Sequence, residues 1–109
     1  MNQKEIVLVR FPFSNQTDYK IRPAVIVSND YYNRVHSNFW LVPLTTKQSL
    51  KEFELELPQK EIISGKIREK SFARTDVIAA VENDLVLKEL GKVSTAFFEL
   101  LKKQLLKNL

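Results

Sequence analysis

An arginine directly before a proline is the first group in this sequence with the character of a chemical site. In the segment 21–24, Ile-Arg-Pro-Ala, the ring of Pro23 restricts Arg22 to an extended backbone. Arg22 is therefore expected at the mouth of a rigid strand, beside a polar loop. A guanidinium held in this way can present a fixed fork of N–H donors to a phosphate. The alternative is that Arg22 is a solvated charge at the start of a strand.

A second candidate lies at the end of segment 41–47, Leu-Val-Pro-Leu-Thr-Thr-Lys. Pro43 near the end of a strand indicates a sheet edge or a bulge, because proline cannot donate to a central ladder. Thr45, Thr46 and Lys47 then follow where the strand leaves the sheet, and a hydroxyl there can hydrogen-bond a phosphate oxygen. The alternative is that these threonines serve only the β propensity of a strand end.

Histidine and cysteine chemistry are largely excluded by the residue counts. The sequence has one histidine, His36, and no cysteine. A mechanism that needs two histidines, a histidine-rich metal site and thiolate chemistry are therefore all excluded. We expect His36 to be an exposed loop residue.

The acidic residues do not predict a metal site. A metal-dependent nuclease would need clustered carboxylates to hold Mg²⁺. The candidates are three glutamates of one predicted strand, Glu52, Glu54 and Glu56, and the separated residues Asp30, Asp76 and Glu82. We interpret the three glutamates as the solvent-exposed face of that strand. Nothing in the spacing of Asp30, Asp76 and Glu82 requires these three residues to meet at one site. With two glycines in total, the chain also lacks a glycine-rich phosphate loop, so we expect no metal and no cofactor.

Composition and charge favour a small basic domain with an anionic partner. The chain has 109 residues and a net charge of +4, and 44% of its residues are hydrophobic. We therefore expect a single domain over residues 1–109 and a partner such as nucleic acid, which also suits the isoelectric point of about 9.4. No apolar run approaches the length of a membrane span, and no signal peptide is evident, so we expect a cytoplasmic protein without membrane contact.

Short strands and a terminal helix are the elements that would position these groups. Apolar runs predict buried strands at residues 6–9, 24–27 and 39–42, and the alternation of residues 53–57 predicts a half-exposed strand. Region 67–81 contains a further strand, whereas region 85–93 is ambiguous between a turn of helix and a short strand. Polar segments 14–20 and 31–38 are interpreted as loops.

The last sixteen or so residues predict the one long helix. Ser94 is a suitable N-cap, and apolar residues then recur at helical spacing: Phe97, Phe98, Leu101, Leu105 and Leu109. Five or six short strands and one C-terminal helix indicate a mainly β fold, a small barrel with the helix packed on it.

Taken in order, the segments resemble one known family. Residues 5–12 (EIVLVRFP), 22–30 (RPAVIVSND) and 42–47 (VPLTTK) are similar to motifs of the MazF/PemK family of toxin endoribonucleases. The resemblance continues through residues 71–76 and 90–94 into the final helix. It covers nearly the whole chain, and the ordered set of motifs carries it.

The resemblance implies a fold, an activity and partners. It implies a small SH3-like or CcdB-like barrel, a homodimer, and metal-independent, sequence-selective cleavage of single-stranded RNA. It also implies an antitoxin whose disordered acidic segment blocks the RNA groove, with DNA binding by the complex of the two.

In the family, the arginine of the Arg-Pro motif and the threonine that ends the Pro-Leu-Thr motif are catalytic, which implies Arg22 and Thr45 here. The RNA-binding residues predicted around them are Tyr19, Lys20, Thr46, Lys47, Arg74 and Asp76.

The sequence departs from the family pattern in two places. Residues 4–5 are Lys-Glu where the family often has Gly-Asp, and residues 77–80 are Val-Ile-Ala-Ala where it often has Gln-Ile-Arg-Thr. The second departure removes a glutamine and an arginine, so base selection or a dimer contact is expected to differ. It also leaves open a rival interpretation, a small barrel that binds RNA or a peptide without cutting it.

The chemistry that fits these residues uses the RNA's own nucleophile. Without metal ligands, the ribose 2′-OH beside the scissile phosphate attacks, and the products are a 2′,3′-cyclic phosphate and a 5′-hydroxyl. Arg22 would stabilise the developing charge and Thr45 would orient a phosphate oxygen. Arginine is a poor base near neutral pH because a guanidinium group gives up its proton very reluctantly, so a stabilising or acidic role suits Arg22 better.

Overall fold

The computed structural model describes residues 1–12 and 19–109. Its strands are β1 (Glu5–Pro12), β2 (Tyr19–Ile26), β3 (Asn38–Thr45), β4 (Glu54–Leu57), β5 (Ile62–Gly65), β6 (Ser71–Arg74), β7 (Ala79–Glu82) and β8 (Val86–Val93). Its helices are α1 (Asp30–Val35) and α2 (Thr95–Lys107), with single turns of 3₁₀ helix at Lys51–Phe53, Gln59–Glu61 and Asn83–Leu85.

The strands of the described residues form one curled antiparallel sheet in the order β4-β6-β3-β2-β1-β8-β5, and β7 pairs with β3 beside β6. The sheet bends into a half-barrel, and α2 follows the last strand. The predicted fold class, mainly β with a C-terminal helix, is confirmed.

The central strands are buried on both faces. Ile6, Val25 and Val42 belong to a core that includes the apolar side of α2. Their neighbours Val7 and Ala24 belong to a second core on the opposite face. A strand whose two faces are both buried reads as a continuous apolar run, which is why these strands could be predicted from the sequence.

Helix α2 begins where its cap residue predicts. Ser94 lies just before the first helical residue, and its Oγ accepts a hydrogen bond from the Phe97 backbone N–H at 3.0 Å. Phe97, Phe98, Leu101 and Leu105 are buried along one side of the helix. The predicted N-terminus is confirmed, and so is the predicted apolar stripe as far as Leu105. The prediction was wrong at Leu109, which lies beyond the last helical residue, Lys107, and is 88% exposed.

Several local predictions were wrong. Segment 31–38 was interpreted as a loop, but α1 occupies Asp30–Val35, with the Asn29 side chain accepting from the Tyr32 N–H at 2.8 Å as its cap. Strand β2 begins at Tyr19, inside the segment interpreted as a loop, so Arg22 lies within a strand rather than at its start. Here pairing with β1 overrides the weak strand propensity of the residues before Ala24.

The prediction that the three glutamates lie on a solvent-exposed strand face was also wrong at Glu54. Glu54 is only 9% exposed, and its carboxylate accepts a hydrogen bond from the Ser49 backbone N–H at 3.0 Å. Glu52 and Glu56 are exposed as predicted. Alternation predicts the two faces of a strand, but it cannot predict that a preceding loop folds back to cover one of them.

Region 85–93 is a strand from Val86 onward, and Leu85 ends the preceding 3₁₀ turn. Strand β8 lies between β1 and β5, with register shifts on both sides, and its middle residues are exposed. Strand β5 itself was not predicted. Irregular pairing and exposure remove the period-2 pattern by which such strands are recognised.

Neighbouring leucines of α2 provide a test of this packing. Leu101 is fully buried, whereas Leu100 is 53% exposed. We expect Leu101→Ala to lower the free energy of unfolding by about 2–5 kcal/mol, because it leaves a cavity between the helix and the sheet. Leu100→Ala should change it by less than about 0.5 kcal/mol. Urea unfolding followed by circular dichroism measures both, and equal losses would contradict the described packing.

Candidate functional site

The candidate site forms where β2 and β3 separate. The two strands pair at Ala24 with Pro43, Val25 with Val42 and Ile26 with Leu41, and their mutual ladder stops there. Beyond this point β2 stays paired with β1, and β3 pairs with β6. Pro23 and Pro43 stand at the point of separation. Because proline has no backbone N–H, neither can donate to a continuing ladder.

A cleft of about 390 Å³ occupies the space between the separated strands. It is lined by Lys20, Ile21, Arg22, Pro23, Leu44, Thr45, Thr46, Lys47 and Glu69. Extending the β2–β3 register past the prolines sets Arg22 opposite Thr45, and Lys20 opposite Lys47. The structure thus brings together five of the predicted site residues, although they come from separate segments of the sequence.

The surroundings of the Arg22 side chain are those expected of a group that binds an anion. Its side chain is half-buried, and its guanidinium makes no hydrogen bond or ion pair with any residue that the structure describes. Its backbone is fixed by pairing with Val9 of β1. A positioned guanidinium without a carboxylate partner leaves its fork of donors available to a phosphate.

Thr45 is held more tightly than its neighbour Thr46. It is 9% exposed, and its Oγ1 accepts from the Lys47 N–H at 3.2 Å and donates to the Lys47 carbonyl at 3.3 Å. The donated bond is longer than the roughly 2.7–2.8 Å usual for an O–H donor. The hydroxyl hydrogen can therefore turn from this weak bond to an oxygen in the cleft.

Glu69 is the cleft residue that sequence reasoning missed. It lies two residues before the start of β6, and β6 runs antiparallel to the end of β3, with Phe72 opposite Thr45. This register carries Glu69 toward the residues that follow Thr45. No motif contains Glu69, so only the β3–β6 pairing reveals it.

Two predicted site residues, Arg74 and Asp76, are not among the residues that line the cleft. They bind each other: Arg74 Nε donates to Asp76 Oδ1 at 3.2 Å, and Arg74 Nη2 donates to Oδ2 at 2.8 Å. This hydrogen-bonded pair lowers the pKa of Asp76 below its ordinary value and raises the pKa of Arg74. A role for either residue in RNA binding stays a prediction.

The remaining sequence candidates lie away from the cleft or outside the description. The backbone of Tyr19 begins β2, but its side chain is outside the described residues. His36 is exposed at the end of α1 and stacks on Tyr32, with ring centroids 3.9 Å apart. Across residues 1–12 and 19–109, no group of three histidine, cysteine or acidic residues is placed to hold a metal ion.

The departure at residues 77–80 also lies elsewhere. Ala79 and Ala80 pair with Leu41 and Trp40, at the opposite end of β3 from Thr45. None of residues 77–80 lines the cleft. The departure from the family pattern therefore lies outside the cleft that Arg22 and Thr45 line.

Residues 2–109 match the profile of the family described as PemK-like, MazF-like toxins of type II toxin–antitoxin systems. The chain belongs to this family. Among curated protein sequences no significant match is found. In the described part of the chain, no helix has the length and apolar character needed to cross a membrane.

Solved structures share the fold at low sequence identity. An endoribonuclease from a mycobacterial species, solved in complex with its cognate antitoxin, superposes with a TM-score of 0.78 at 18% identity, covering 99% of this chain and 93% of its own. MazF from Deinococcus radiodurans gives a TM-score of 0.79 at 18% identity, covering 96% and 92%. The Mycobacterium tuberculosis toxin MazF-mt6 gives 0.65 at 14% identity, covering 94% and 90%. At these identities the likeness shows the fold.

The Arg74–Asp76 pair makes stability depend on pH. Because the pKa of Asp76 is lowered in the folded state, the pair stabilises the fold above the ordinary value of 3.8, and this contribution disappears as the pH falls through the lowered pKa. We expect Asp76→Asn to reduce the free energy of unfolding at neutral pH by at most about 1 kcal/mol, since the pair is partly exposed. The free energies of unfolding of the variant and the wild type, measured with urea, should converge as the pH falls through the lowered pKa of Asp76. Asp84→Asn, an exposed control, should show no such pH-dependent difference.

Proposed function

We propose that this chain is a toxin endoribonuclease that cleaves single-stranded RNA without a metal ion, by attack of the 2′-OH on the scissile phosphate. One observation carries the proposal: Arg22 and Thr45 occupy facing positions across an open cleft flanked by Lys20 and Lys47. The three cations suit a polyanionic backbone, and the paired guanidinium and hydroxyl suit one phosphate within it.

Family membership and structural likeness support the activity. The family comprises toxins of toxin–antitoxin systems, and the mycobacterial structure with the same fold is described as an endoribonuclease. The motifs that carry the family's catalytic arginine and threonine are intact here as Arg22 and Thr45.

The proposed mechanism assigns different tasks to the two residues. The Arg22 fork neutralises the charge that develops on the non-bridging oxygens of the phosphate. The Thr45 hydroxyl, held by the Lys47 N–H, donates to one of these oxygens and fixes the phosphate for in-line attack. Lys20 and Lys47 bind the adjacent phosphates. DNA resists cleavage because it lacks the 2′-OH nucleophile.

The same cleft is the proposed target of the antitoxin. A mostly acidic, disordered segment would compete with RNA for Lys20, Arg22 and Lys47. The mycobacterial relative was solved with its cognate antitoxin, and the Deinococcus radiodurans protein as MazE–MazF. The chain is proposed to act as a homodimer in the cytoplasm, with residues 1–109 forming one domain.

Substitution of Arg22 tests the catalytic pair. We expect Arg22→Ala to lower the rate of RNA cleavage by about 10²–10⁴-fold, because it removes the charge assigned to the transition state. Arg22→Lys should restore little, since an ammonium group cannot form the bidentate fork. Arg34→Ala, on exposed α1, is the control and should cut labelled single-stranded RNA at the wild-type rate.

The neighbouring threonines give a matched comparison in the same assay. Thr45→Val removes a hydroxyl at nearly constant shape and should slow cleavage strongly, whereas Thr46→Val, at the exposed position, should matter less. The double variant of Arg22 and Thr45 should lose less than the product of the single losses. The proposal fails if folded Arg22→Ala and Thr45→Val proteins both cleave as fast as the wild type. It also fails if EDTA abolishes cleavage and Mg²⁺ restores it, whereas RNA binding without any cleavage would favour a binding module.

The proposed assembly is tested by sedimentation. We expect a dimer at tens of micromolar, a loading well above the Kd of even weak, roughly micromolar complexes. A synthetic acidic peptide should inhibit cleavage competitively, and added salt should weaken this inhibition because the cleft is cationic. Sedimentation as a monomer throughout would contradict the dimer.

A further inference from the structure

A single carboxylate stands in the cationic cleft. Among the described residues that line it, Glu69 is the only acidic one, beside Lys20, Arg22 and Lys47. We propose that Glu69 is the general base of the reaction and removes the proton of the attacking 2′-OH. This role rests on the proposed function and assigns to it a catalytic residue outside the Arg22 and Thr45 motifs.

The fold holds Glu69 at the cleft through β6. Ser71 is buried as the first residue of that strand, and its Oγ donates to the backbone carbonyl of Glu69 at 3.0 Å. Phe72 pairs with Thr45, which ties the start of β6 to the end of β3. Glu69 and Thr45 are thus held at the same cleft by one strand pair, and their relative position does not depend on a long free loop.

The chemistry of the cleft leaves few groups that can accept a proton. Lysine and arginine side chains are already protonated near neutral pH and therefore cannot act as bases without first losing a proton. The threonine hydroxyls are too weakly acidic to be present as alkoxides. The one histidine, His36, is on α1 and does not line the cleft. A carboxylate has free lone pairs that can accept a proton, so Glu69 is the described cleft residue whose side chain can serve as a base.

Two other carboxylates near the cleft already interact with other groups of the protein. Glu56 is exposed on β4, pairs with Lys70 at 3.7 Å and does not line the cleft. Glu54 is buried and accepts from the Ser49 N–H. Glu69, in contrast, has no ion pair with a residue that the structure describes, so its carboxylate is available to a substrate.

The proposed step balances within the substrate, Glu69 and water. Glu69 takes the proton of the 2′-OH while the 2′-oxygen forms a bond to phosphorus. The bond from phosphorus to the 5′-oxygen breaks, and that oxygen leaves with its electron pair and takes a proton from water. Glu69 then returns its proton to the solvent. No oxidant, reductant or metal is needed, and Arg22 keeps its proposed role of stabilising the charge on the phosphate.

The charged groups around Glu69 allow its contribution to the pH profile of cleavage to be distinguished from that of its neighbours. Lys20 and Arg22 face it from β2 and Lys47 from the end of β3, while Arg68 and Lys70 flank it in the chain. A second groove lies on the other side of Glu69, and among the described residues that line it Glu56 is the one other acidic residue. An acid limb in the pH profile that depends on Glu69 but not on Glu56 therefore identifies the base.

The experiment measures kcat/KM for cleavage of a labelled single-stranded RNA between about pH 4 and 8, a range that spans carboxyl ionisation. We expect Glu69→Gln to lower the rate by about 10²–10⁴-fold and to remove the acid limb of the profile. Glu56→Gln, the charge-matched control, should keep both rate and limb. Binding of a 2′-deoxy analogue should stay equal or become tighter in Glu69→Gln, because a negative charge leaves the cleft. Added formate should partly restore cleavage by Glu69→Ala.

Each other outcome has a distinct meaning. If the wild type cleaves RNA and folded Glu69→Gln cleaves it equally well, the assignment of Glu69 is overturned while the proposed function stands. The assignment also falls if Glu69→Gln is slow but keeps the acid limb, or if formate restores nothing. If the wild-type chain itself cleaves no RNA at any pH, the proposed function and the role of Glu69 fall together.

Discussion

The hydrogen-bonded ladder between β2 and β3 ends at two prolines. The candidate site exists because the two strands separate at this point. Had pairing continued, Arg22 and Thr45 would be neighbours in a closed sheet with no space for a ligand between them. Each strand instead keeps a different partner, β1 for β2 and β6 for β3. The separation therefore leaves both strands anchored, and the backbone groups on their facing edges are left to water or a ligand.

The two strands that border the cleft are held rigidly by the cores on both faces of the sheet. The central strands carry one apolar core against α2 and another on the opposite face, so β2 and β3 cannot easily close over the cleft or move apart. Charge stabilisation by preorganised groups depends on such support, because a donor that must reorient during the reaction loses much of its advantage. In the proposed mechanism this support comes from pairing with Val9 for Arg22 and from the hydrogen bond of the Lys47 N–H for Thr45.

The ion pairs distinguish two kinds of basic residue in this molecule. Arg22, Lys20 and Lys47 have no carboxylate partner in the described part of the chain, whereas Arg74 is neutralised by Asp76. Sequence alone cannot separate these two kinds of cation. A basic residue is available to a ligand when it forms no ion pair within the protein, and among the described residues Lys20, Arg22 and Lys47 form none.

The sequence by itself determined the class of fold, the apolar central strands, the Ser94 cap and the two motifs that contain Arg22 and Thr45. These features are encoded locally, in apolar runs, in cap chemistry and in the restriction that proline places on its neighbours. Tertiary structure alone decided which motif residues face each other, that Glu54 is buried, that Arg74 binds Asp76 and that Glu69 reaches the cleft. The facing of Arg22 and Thr45 and the position of Glu69 depend on strand register between segments far apart in the chain, and register is set by the packing of whole strands rather than by the residues of any one of them. The burial of Glu54 and the Arg74–Asp76 pair depend on how the chain folds around neighbouring residues, which an alternating pattern does not show.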